Sequence, residues 1–244
     1  MMSKGVKAKN IEYVCEGHGE PNIILLSGYG VDLASWGKIY TELQGSNRVL
    51  VYNRLNVGAS SRSKVRQTGN DIIKMLRHLL IMAEMQPPYV VVGHSIGGIY
   101  AQLFARQHPK EVAGVVLVES VYPYQEDIKQ YCKLSWLDAM FFPMRSPEIA
   151  SFEETSQQTL DAPNFPDTPL VVISSGRDSS ETFQEEQRKL VSLSPQGRQV
   201  IAKPSGHFVQ LDEPEVVLQA IRDVLAFETQ RSFRSYGPKW KKAI

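Results

Sequence analysis

Residues 89–101 read Tyr-Val-Val-Val-Gly-His-Ser-Ile-Gly-Gly-Ile-Tyr-Ala, and this stretch decides the fold that the sequence predicts. Its first part is a β-branched run typical of a buried strand, and its last part begins a helix. Gly93, Ser95 and Gly97 form a Gly-x-Ser-x-Gly pattern at the junction. A chain that passes from strand to helix within about two residues is strained at the turn and leaves no room for large neighbours. The stretch therefore predicts a strand, a sharp turn at Ser95 and a helix.

Further apolar runs repeat the strand pattern along the chain. They are residues 22–28, 48–52, 115–118 and 170–173, and residues 10–17 are expected to add an edge strand. Apolar runs without alternation, separated by helices, are typical of a parallel sheet covered on both faces. We therefore expect one α/β domain over residues 1–244, with a mostly parallel central sheet and helices on both faces.

Predicted helices alternate with the predicted strands, and one region breaks this alternation. Helical spacing of apolar residues predicts helices at 71–85, 96–107 and 215–228. Residues 122–166 contain no such strand run but include an aromatic-rich stretch at 136–144. An insertion of this length inside a compact fold is typically functional or helical. We interpret residues 122–166 as a small cap over one end of the sheet; the alternative is a packing excursion with no role in recognition.

Composition excludes several classes of partner. The chain has 27 Lys and Arg residues against 26 Asp and Glu residues, a formal charge of +1, which gives no electrostatic reason to expect nucleic acid or an anionic membrane as partner. No segment approaches the roughly 18 apolar residues of a membrane span, and the N-terminus does not resemble a signal peptide. The two cysteines, Cys15 and Cys132, are typical of reduced thiols. We expect a soluble, cytoplasmic protein that binds a small-molecule substrate, with its oligomeric state left open.

Ser95 is the candidate nucleophile, because the turn exposes its hydroxyl at the start of a helix, where amide groups stabilise negative charge. The alternative is a tight turn whose serine only caps the helix. A serine hydroxyl needs a base to accept its proton. His207, on a glycine-containing loop between a strand and the last helix, is the candidate base. Turn, helix, packing and helix-end positions account for the remaining histidines, which are His18, His78, His94 and His108.

Three further stretches extend the pattern around Ser95 to nearly the whole chain. Residues 25–30, Leu-Leu-Ser-Gly-Tyr-Gly, resemble the oxyanion loop of the α/β-hydrolase superfamily. Residues 52–60 resemble its Tyr-Asp-Arg-Pro-Gly-x-Gly-x-Ser signature, and residues 205–208 resemble its histidine loop. The resemblance implies the α/β-hydrolase fold, with a nucleophile, an acid and a histidine in that order along the chain.

The acid has two candidates. Asp178 follows the apolar run at 170–173 and matches the family's Gly-x-Asp at that place, whereas Glu119 follows the run at 115–118, where some members carry the acid. We favour Asp178 and keep Glu119 as the alternative. The resemblance also implies that the oxyanion hole consists of the backbone amides of Tyr29 and Ile96.

The sequence departs from the family pattern at several positions. Ser27 replaces the histidine that usually precedes the glycine of the oxyanion loop. Asn53 replaces the usual aspartate of the signature, and residues 55–56, Leu-Asn, replace Pro-Gly. These changes leave the three catalytic candidates in place but weaken any inference about the subfamily.

The expected function is hydrolysis of a small, apolar ester through an acyl-enzyme, with no cofactor and no metal. The aromatic stretch at 136–144 is the reason to expect an apolar group. Amide or carbon–carbon bond hydrolysis, or a lyase reaction, on the same fold is the first alternative, and a non-catalytic ligand-binding protein is the second. Serine at position 95 argues against the haloalkane dehalogenase and epoxide hydrolase branches, which use a carboxylate nucleophile.

Overall fold

The structure, a computed structural model, describes residues 11–123, 147–177 and 180–235, with side chains up to residue 228 in the last segment. Within these residues, seven strands form one sheet with the order β1-β3-β2-β4-β5-β6-β7. Only β1 runs antiparallel to its neighbour, β3; the other pairs are parallel. The strands are β1 Tyr13–Glu16, β2 Asn22–Leu26, β3 Val49–Tyr52, β4 Tyr89–His94, β5 Val112–Val118, β6 Leu170–Ser175 and β7 Gly197–Ala202.

Helices connect the strands and cover the sheet. In the described part of the chain they are α1 Gly37–Leu43, α2 Gly69–Met82, α3 Ile96–Gln107, α4 Phe152–Asp161, α5 Glu181–Val191, α6 Val209–Asp212 and α7 Pro214–Ser235. The start of α2 shows why it begins there. The Thr68 side chain accepts from the Asp71 backbone N–H, and the Asp71 carboxylate accepts from the Thr68 N–H, so two amide groups of the first turn are bonded.

The two faces of the sheet belong to two separate layers of the core. In β2, Ile24 and Leu26 pack with α2 and α3, whereas Ile23 and Leu25 pack with α1 and α7. All four side chains are at most 1% exposed. Because successive side chains of a strand point to opposite faces, a strand covered on both sides is apolar throughout. The predicted α/β fold, with a mostly parallel sheet and helices on both faces, is confirmed.

Most of the predicted strands and helices, whose buried side chains are apolar, are found in the structure. The five apolar runs correspond to β2–β6, the expected edge strand is β1, and helix 96–107 is α3. The helix predicted at 71–85 spans Gly69–Met82, and the last helix continues to Ser235. Helices α1, α4, α5 and α6 were not predicted, and no bounds were predicted for β7. Thr155, Ser156 and Thr159 are buried in α4, so the apolar period that predicts a helix is missing there.

The cap prediction falls mostly outside the described residues. Residues 124–146, which include the aromatic stretch 136–144, are not described, so a cap at 122–166 within a single domain stays a prediction. The part that follows packs on the helical layer, since the Gly69 N–H at the start of α2 donates to Thr155 Oγ1 at 2.8 Å. Among the described helices, none combines the length and apolar character needed to cross a membrane.

Candidate active site

The sequence-predicted site residues follow neighbouring parallel strands. Gly93 of β4 pairs with Leu26 of β2, and Val118 of β5 pairs with His94 of β4 and with Ile173 of β6. The carboxyl ends of these strands therefore meet at one edge of the sheet, which is where open α/β sheets bind ligands. Residues 27–30, which belong to the stretch that resembles the family's oxyanion loop and which we call the oxyanion segment, are thereby brought to the same edge as Ser95 and Glu119.

Ser95 lies in a strained turn between β4 and α3. Its φ is 54° and its ψ is −124°, a region that residues with a side chain rarely adopt. Glycines make the turn possible: a Cβ on Gly93 would lie 2.4 Å from the Gly97 carbonyl oxygen, and one on Gly97 would lie 2.3 Å from the Leu26 oxygen. The strand-turn-helix predicted from residues 89–101 is confirmed, and Ser95 is left half-buried at the sheet edge.

The oxyanion segment lies directly against Ser95. A Cβ on Gly28 would lie 3.3 Å from the Ser95 Cβ and 2.8 Å from His94 Nδ1, so no larger residue fits there. Tyr29 follows Gly28, and Ile96 follows Ser95 as the first residue of α3. The first amide groups of a helix have no partner inside the helix and carry partial positive charge. Both predicted oxyanion-hole residues are thus adjacent in the chain to the point where the two segments touch.

The departures from the family pattern have local explanations. Ser27 accepts a hydrogen bond from the buried indole of Trp36, Nε1 to Oγ at 3.1 Å, which braces the oxyanion segment. Asn53 donates from Nδ2 to the Glu12 carboxylate at 2.7 Å and to the Asp32 carboxylate at 2.9 Å. An aspartate at position 53 would bring a third negative charge to these carboxylates, whereas an amide donates to both.

His207 lies on the loop between β7 and α6, and its neighbours hold that loop. The Gly206 N–H donates to Asp212 Oδ2 at 3.0 Å, and the His207 carbonyl oxygen accepts from His94 Nε2 at 2.9 Å. The His207 side chain is 47% exposed. The His207 imidazole is therefore accessible to a substrate, while the His207 backbone is hydrogen-bonded to His94, the residue that precedes Ser95.

Glu119 is the described carboxylate that contacts His207. Its Oε2 lies 3.4 Å from His207 Nδ1, and its Oε1 accepts from the Ser175 N–H. The side chain is only 5% exposed, and the residue has a φ of 47° although it is not glycine. Strained residues of this kind are concentrated at functional sites, and hydrogen bonds of unliganded sites are often long. This geometry suits a carboxylate that orients an imidazole.

Asp178, which we favoured as the acid, lies outside the described residues. Its assignment stays a prediction, and the described structure neither places it at His207 nor removes it from the site. Glu119, the alternative, is brought to His207 because β5 ends beside β4 and β6. The sequence identified the ends of β5 and β6, but nothing in the loop that follows β6 indicated whether Glu119 or Asp178 reaches the His207 imidazole.

His94 is a site residue whose contribution the sequence did not show. It is fully buried, and burial lowers its pKa to about 3, with the nearby His207 acting in the same direction. The imidazole is therefore neutral near neutral pH. Because the His207 carbonyl can only accept, the proton of His94 must be on Nε2. His94 thus links the chain at Ser95 to the histidine loop, and its position beside Ser95 was the only signal.

A cavity of about 370 Å³ lies elsewhere, between α2, the start of β1 and the segment after β3. Ile11, Leu55, Gln67 and Met75 are among the residues that line it, whereas Ser95, Glu119 and His207 are not. The candidate active site at the sheet edge is therefore distinct from this cavity.

Comparison with known proteins identifies a relative of similar length and a solved structure with the same fold. The chain is similar to the uncharacterized protein YqjL of Bacillus subtilis (strain 168), with 27% identity over 235 residues that cover 91% of this chain and 90% of the relative. A thermophilic esterase from Thermogutta terrifontis superimposes with a TM-score of 0.69 at 21% identity, covering 89% of this chain and 93% of the esterase.

A second solved structure and a family model give the same result. Est816, described as an N-acyl homoserine lactone degrading enzyme, superimposes with a TM-score of 0.67 at 16% identity, covering 87% of this chain and 96% of Est816. At these identities the two structures show a shared fold. The model of the alpha/beta hydrolase fold family matches residues 21–143, half of the chain. Together with the sheet topology and the turn at Ser95, this match shows that the chain belongs to the α/β-hydrolase family.

Proposed function

We propose that this protein is a serine hydrolase that cleaves a small, apolar carboxylic ester through an acyl-enzyme. One observation carries the proposal. The His207 imidazole contacts the Glu119 carboxylate, and the His207 carbonyl oxygen accepts from the side chain of His94, which immediately precedes the strained Ser95. These contacts support the roles that we assign: Ser95 as the nucleophile, His207 as the base and Glu119 as the orienting carboxylate.

In the first half-reaction, the Ser95 Oγ forms a bond to the ester carbonyl carbon while its proton passes to His207 Nε2. We assign Nε2 to this transfer because Nδ1 faces Glu119. The carbonyl electron pair moves to oxygen, and the oxyanion accepts hydrogen bonds from the N–H groups of Tyr29 and Ile96. When the carbonyl re-forms, the carbon–oxygen bond to the alcohol breaks, and the alcohol leaves with the proton from His207.

In the second half-reaction, water takes the place of the alcohol. His207 accepts a proton from the water as its oxygen bonds to the acyl carbon, and the same two amides hold the oxyanion. When the carbonyl re-forms, the bond from the acyl carbon to Ser95 Oγ breaks, the carboxylic acid leaves, and the proton passes from His207 back to Oγ. Glu119 takes no part in the proton transfer, because its role is to hold the Nδ1–H and to stabilise the imidazolium.

The preference for an apolar substrate group has one support in the described residues. Phe208 follows His207, its ring centroid lies 5.4 Å from that of His207, and it remains 40% exposed. An exposed aromatic ring beside a base is suited to contact an apolar acyl or alcohol group. The aromatic stretch at 136–144, the original reason for this expectation, lies outside the described residues.

Labelling with a fluorophosphonate tests the proposal. We expect the probe to modify Ser95, identified by peptide mass spectrometry, and p-nitrophenyl butyrate turnover to disappear in Ser95→Ala and His207→Ala. Matched controls are Ser192→Ala, at the end of α5, and His78→Ala, on the exposed side of α2, and both should keep full turnover.

The result also separates the alternatives. A folded wild-type protein that does not react with the probe would be a ligand-binding member of the family rather than a serine hydrolase. Labelling at Ser95 without turnover of esters, followed by turnover of an amide or a carbon–carbon substrate in a panel, would keep the nucleophile but replace the ester. Lactones belong in that panel because a structurally similar protein is described as degrading one.

A further inference from the structure

A buried guanidinium lies behind the oxyanion segment. Arg54 follows β3 and its side chain is only 3% exposed. Nη1 donates to the Ser27 carbonyl oxygen at 2.7 Å, and Nη2 donates to the Gly28 carbonyl oxygen at 2.8 Å. Two successive carbonyls of the segment are therefore held by one planar, always charged group.

The second of these bonds acts on the amide assigned to the oxyanion hole. The Gly28 carbonyl and the Tyr29 N–H belong to the same peptide unit, which is planar and trans. In such a unit the C=O and the N–H point in opposite directions, so a donor that fixes the carbonyl also fixes the direction of the N–H. The Gly28 oxygen accepts from the Val31 N–H as well, at 3.3 Å. Both bonds to this oxygen leave the orientation of the Tyr29 amide little freedom.

Arg54 is itself held by two buried side chains. Glu148 Oε1 accepts from Arg54 Nε at 3.0 Å and from the Tyr100 hydroxyl at 3.0 Å, and the guanidinium lies 5.2 Å from the centre of the Tyr100 ring. Burial opposes the charged form of Arg54, but the Glu148 carboxylate outweighs it and raises the Arg54 pKa above its usual value. Glu148 lies just before α4, so the helical layer supports the guanidinium and the guanidinium supports the oxyanion segment.

We propose that Arg54 is a positioning residue that directs the Tyr29 N–H toward the oxyanion, with Glu148 and Tyr100 fixing the guanidinium. The inference rests on the proposed function, because it assigns Arg54 an effect on transition-state stabilisation. A lysine cannot bind two carbonyls and a carboxylate in one plane, so the charge alone does not replace it.

The test compares variants at equal numbers of active sites. Arg54→Lys keeps the charge, the double variant Arg54→Met/Glu148→Gln removes the ion pair without leaving an unpaired buried charge, and Glu148→Gln keeps both carbonyl bonds. Fluorophosphonate labelling to completion counts the active sites. We expect kcat per site for p-nitrophenyl butyrate to fall about 10²-fold in the first two variants, as when an oxyanion donor is lost, with KM within about threefold. Glu148→Gln should lose less than either.

Two inhibitors separate positioning from a general loss of structure. An alkyl trifluoromethyl ketone forms an oxyanion on Ser95, and its affinity should fall in parallel with kcat/KM across the variants. A non-hydrolysable ether of the same size should bind all variants equally. The matched control is Arg66→Lys, whose ion pair with Glu154 at 2.8 Å joins the same two regions but is 63% and 44% exposed, and it should keep wild-type kcat.

Each outcome decides the question. If Arg54→Lys and the double variant keep kcat per site within threefold, or if the ether loses as much affinity as the ketone, Arg54 is structural and the inference is wrong while the serine hydrolase proposal stands. If the wild-type protein does not react at Ser95, both proposals fall together. A parallel loss of kcat and ketone affinity, with KM and ether binding unchanged, establishes the positioning role.

Discussion

Two strained turns lie side by side at the edge of the sheet, and they are accommodated in different ways. Ser95 after β4 has a φ of 54°, and Glu119 after β5 has a φ of 47°. Ser95 is flanked by glycines at 93 and 97, so its strain is accommodated by the absence of side chains at these two positions. Glu119 has no glycine beside it; its N–H donates to the Ile173 oxygen at 2.8 Å, and its carboxylate accepts from the Ser175 N–H. Hydrogen bonds hold that turn instead.

The two turns also depend on each other. The Ser95 N–H donates to the Val118 oxygen at 3.0 Å, and the Val121 N–H donates to the Ser95 oxygen at 3.3 Å. A Cβ on Gly98 would lie 2.0 Å from Ser120 Oγ, so this helical glycine makes room for the neighbouring turn. Gly98, which directly follows the Gly-x-Ser-x-Gly pattern, therefore makes room for the Glu119 turn, and the local motif does not show this.

The largest effect that we expect is the loss of kcat when the carboxylate of the Glu119 turn is neutralised. We expect Glu119→Gln to lower kcat for p-nitrophenyl butyrate by about 10⁴-fold, because a neutral amide no longer stabilises the protonated His207. Asp178→Asn is the matched variant, and thermal melts check that both proteins fold. A larger loss in Asp178→Asn would return the role of the acid to Asp178 and leave Glu119 as the acceptor of the Ser175 N–H.

The packing between the turns is broken by Gly98→Ala. An added methyl group would meet both Oγ and Cβ of Ser120, at 2.0 and 2.5 Å, and we expect urea unfolding to show a loss of about 1–3 kcal/mol. Gly37→Ala in α1 is the control, since nothing lies within 4 Å of a Cβ there. Adding Ser120→Gly to Gly98→Ala should restore most of the stability. A Gly98→Ala protein as stable as the control would show that the contact is easily relieved.

His94, which links the Ser95 turn to the histidine loop, is expected to make the free energy of unfolding depend on pH. The pKa of His94 is about 3 in the folded protein, lowered first by burial, against 6.5 for the free side chain. Between these values the unfolded chain binds a proton that the folded protein does not, so the free energy of unfolding falls with falling pH by up to about 1.4 kcal/mol per unit. We expect this contribution to vanish in His94→Asn.

Urea unfolding between pH 7 and pH 4 measures the difference. The wild-type protein should lose stability faster than His94→Asn below about pH 6.5, and the two curves should run parallel above it. His78→Asn, which changes an exposed histidine of α2, should follow the wild-type slope. Equal slopes for wild type and His94→Asn would mean that His94 accepts a proton in the folded protein.

The smallest expected effect tests the hydrogen bonds around the Glu119 turn. Gln187 of α5 is fully buried, and its Nε2 donates to the Ser120 oxygen at 2.8 Å. We expect Gln187→Met to lower the free energy of unfolding by about 1 kcal/mol, the usual contribution of one hydrogen bond. Gln157→Met removes an exposed bond to Asp161 within α4 and should change stability by less. Equal losses in both variants would show that the Ser120 carbonyl does not need this donor.

The fold was predictable for most elements whose buried face is apolar, although the short helix α1 was missed. Strands β2–β6 and α3 follow from runs and periods of apolar residues, because both depend on near neighbours in the chain. The α5 helix buries Glu186 and Gln187 beside Phe183 and Leu190. Polar residues on a buried helix face erase the apolar period, and only the partners supplied by the folded chain explain their burial.

By itself, the sequence determined the turn at Ser95, the histidine on the last loop and the segments assigned to the oxyanion hole. Each depends on a short motif, since a turn with glycines at 93 and 97 is governed by sterics over a few residues. The tertiary structure alone decided that Glu119 contacts His207 and that Arg54 holds the peptide next to Tyr29. Glu119 and His207 are 88 positions apart in the chain, and Arg54 is 26 positions from Gly28, whose carbonyl it binds. Such pairs are set by strand order and register, which no local pattern encodes.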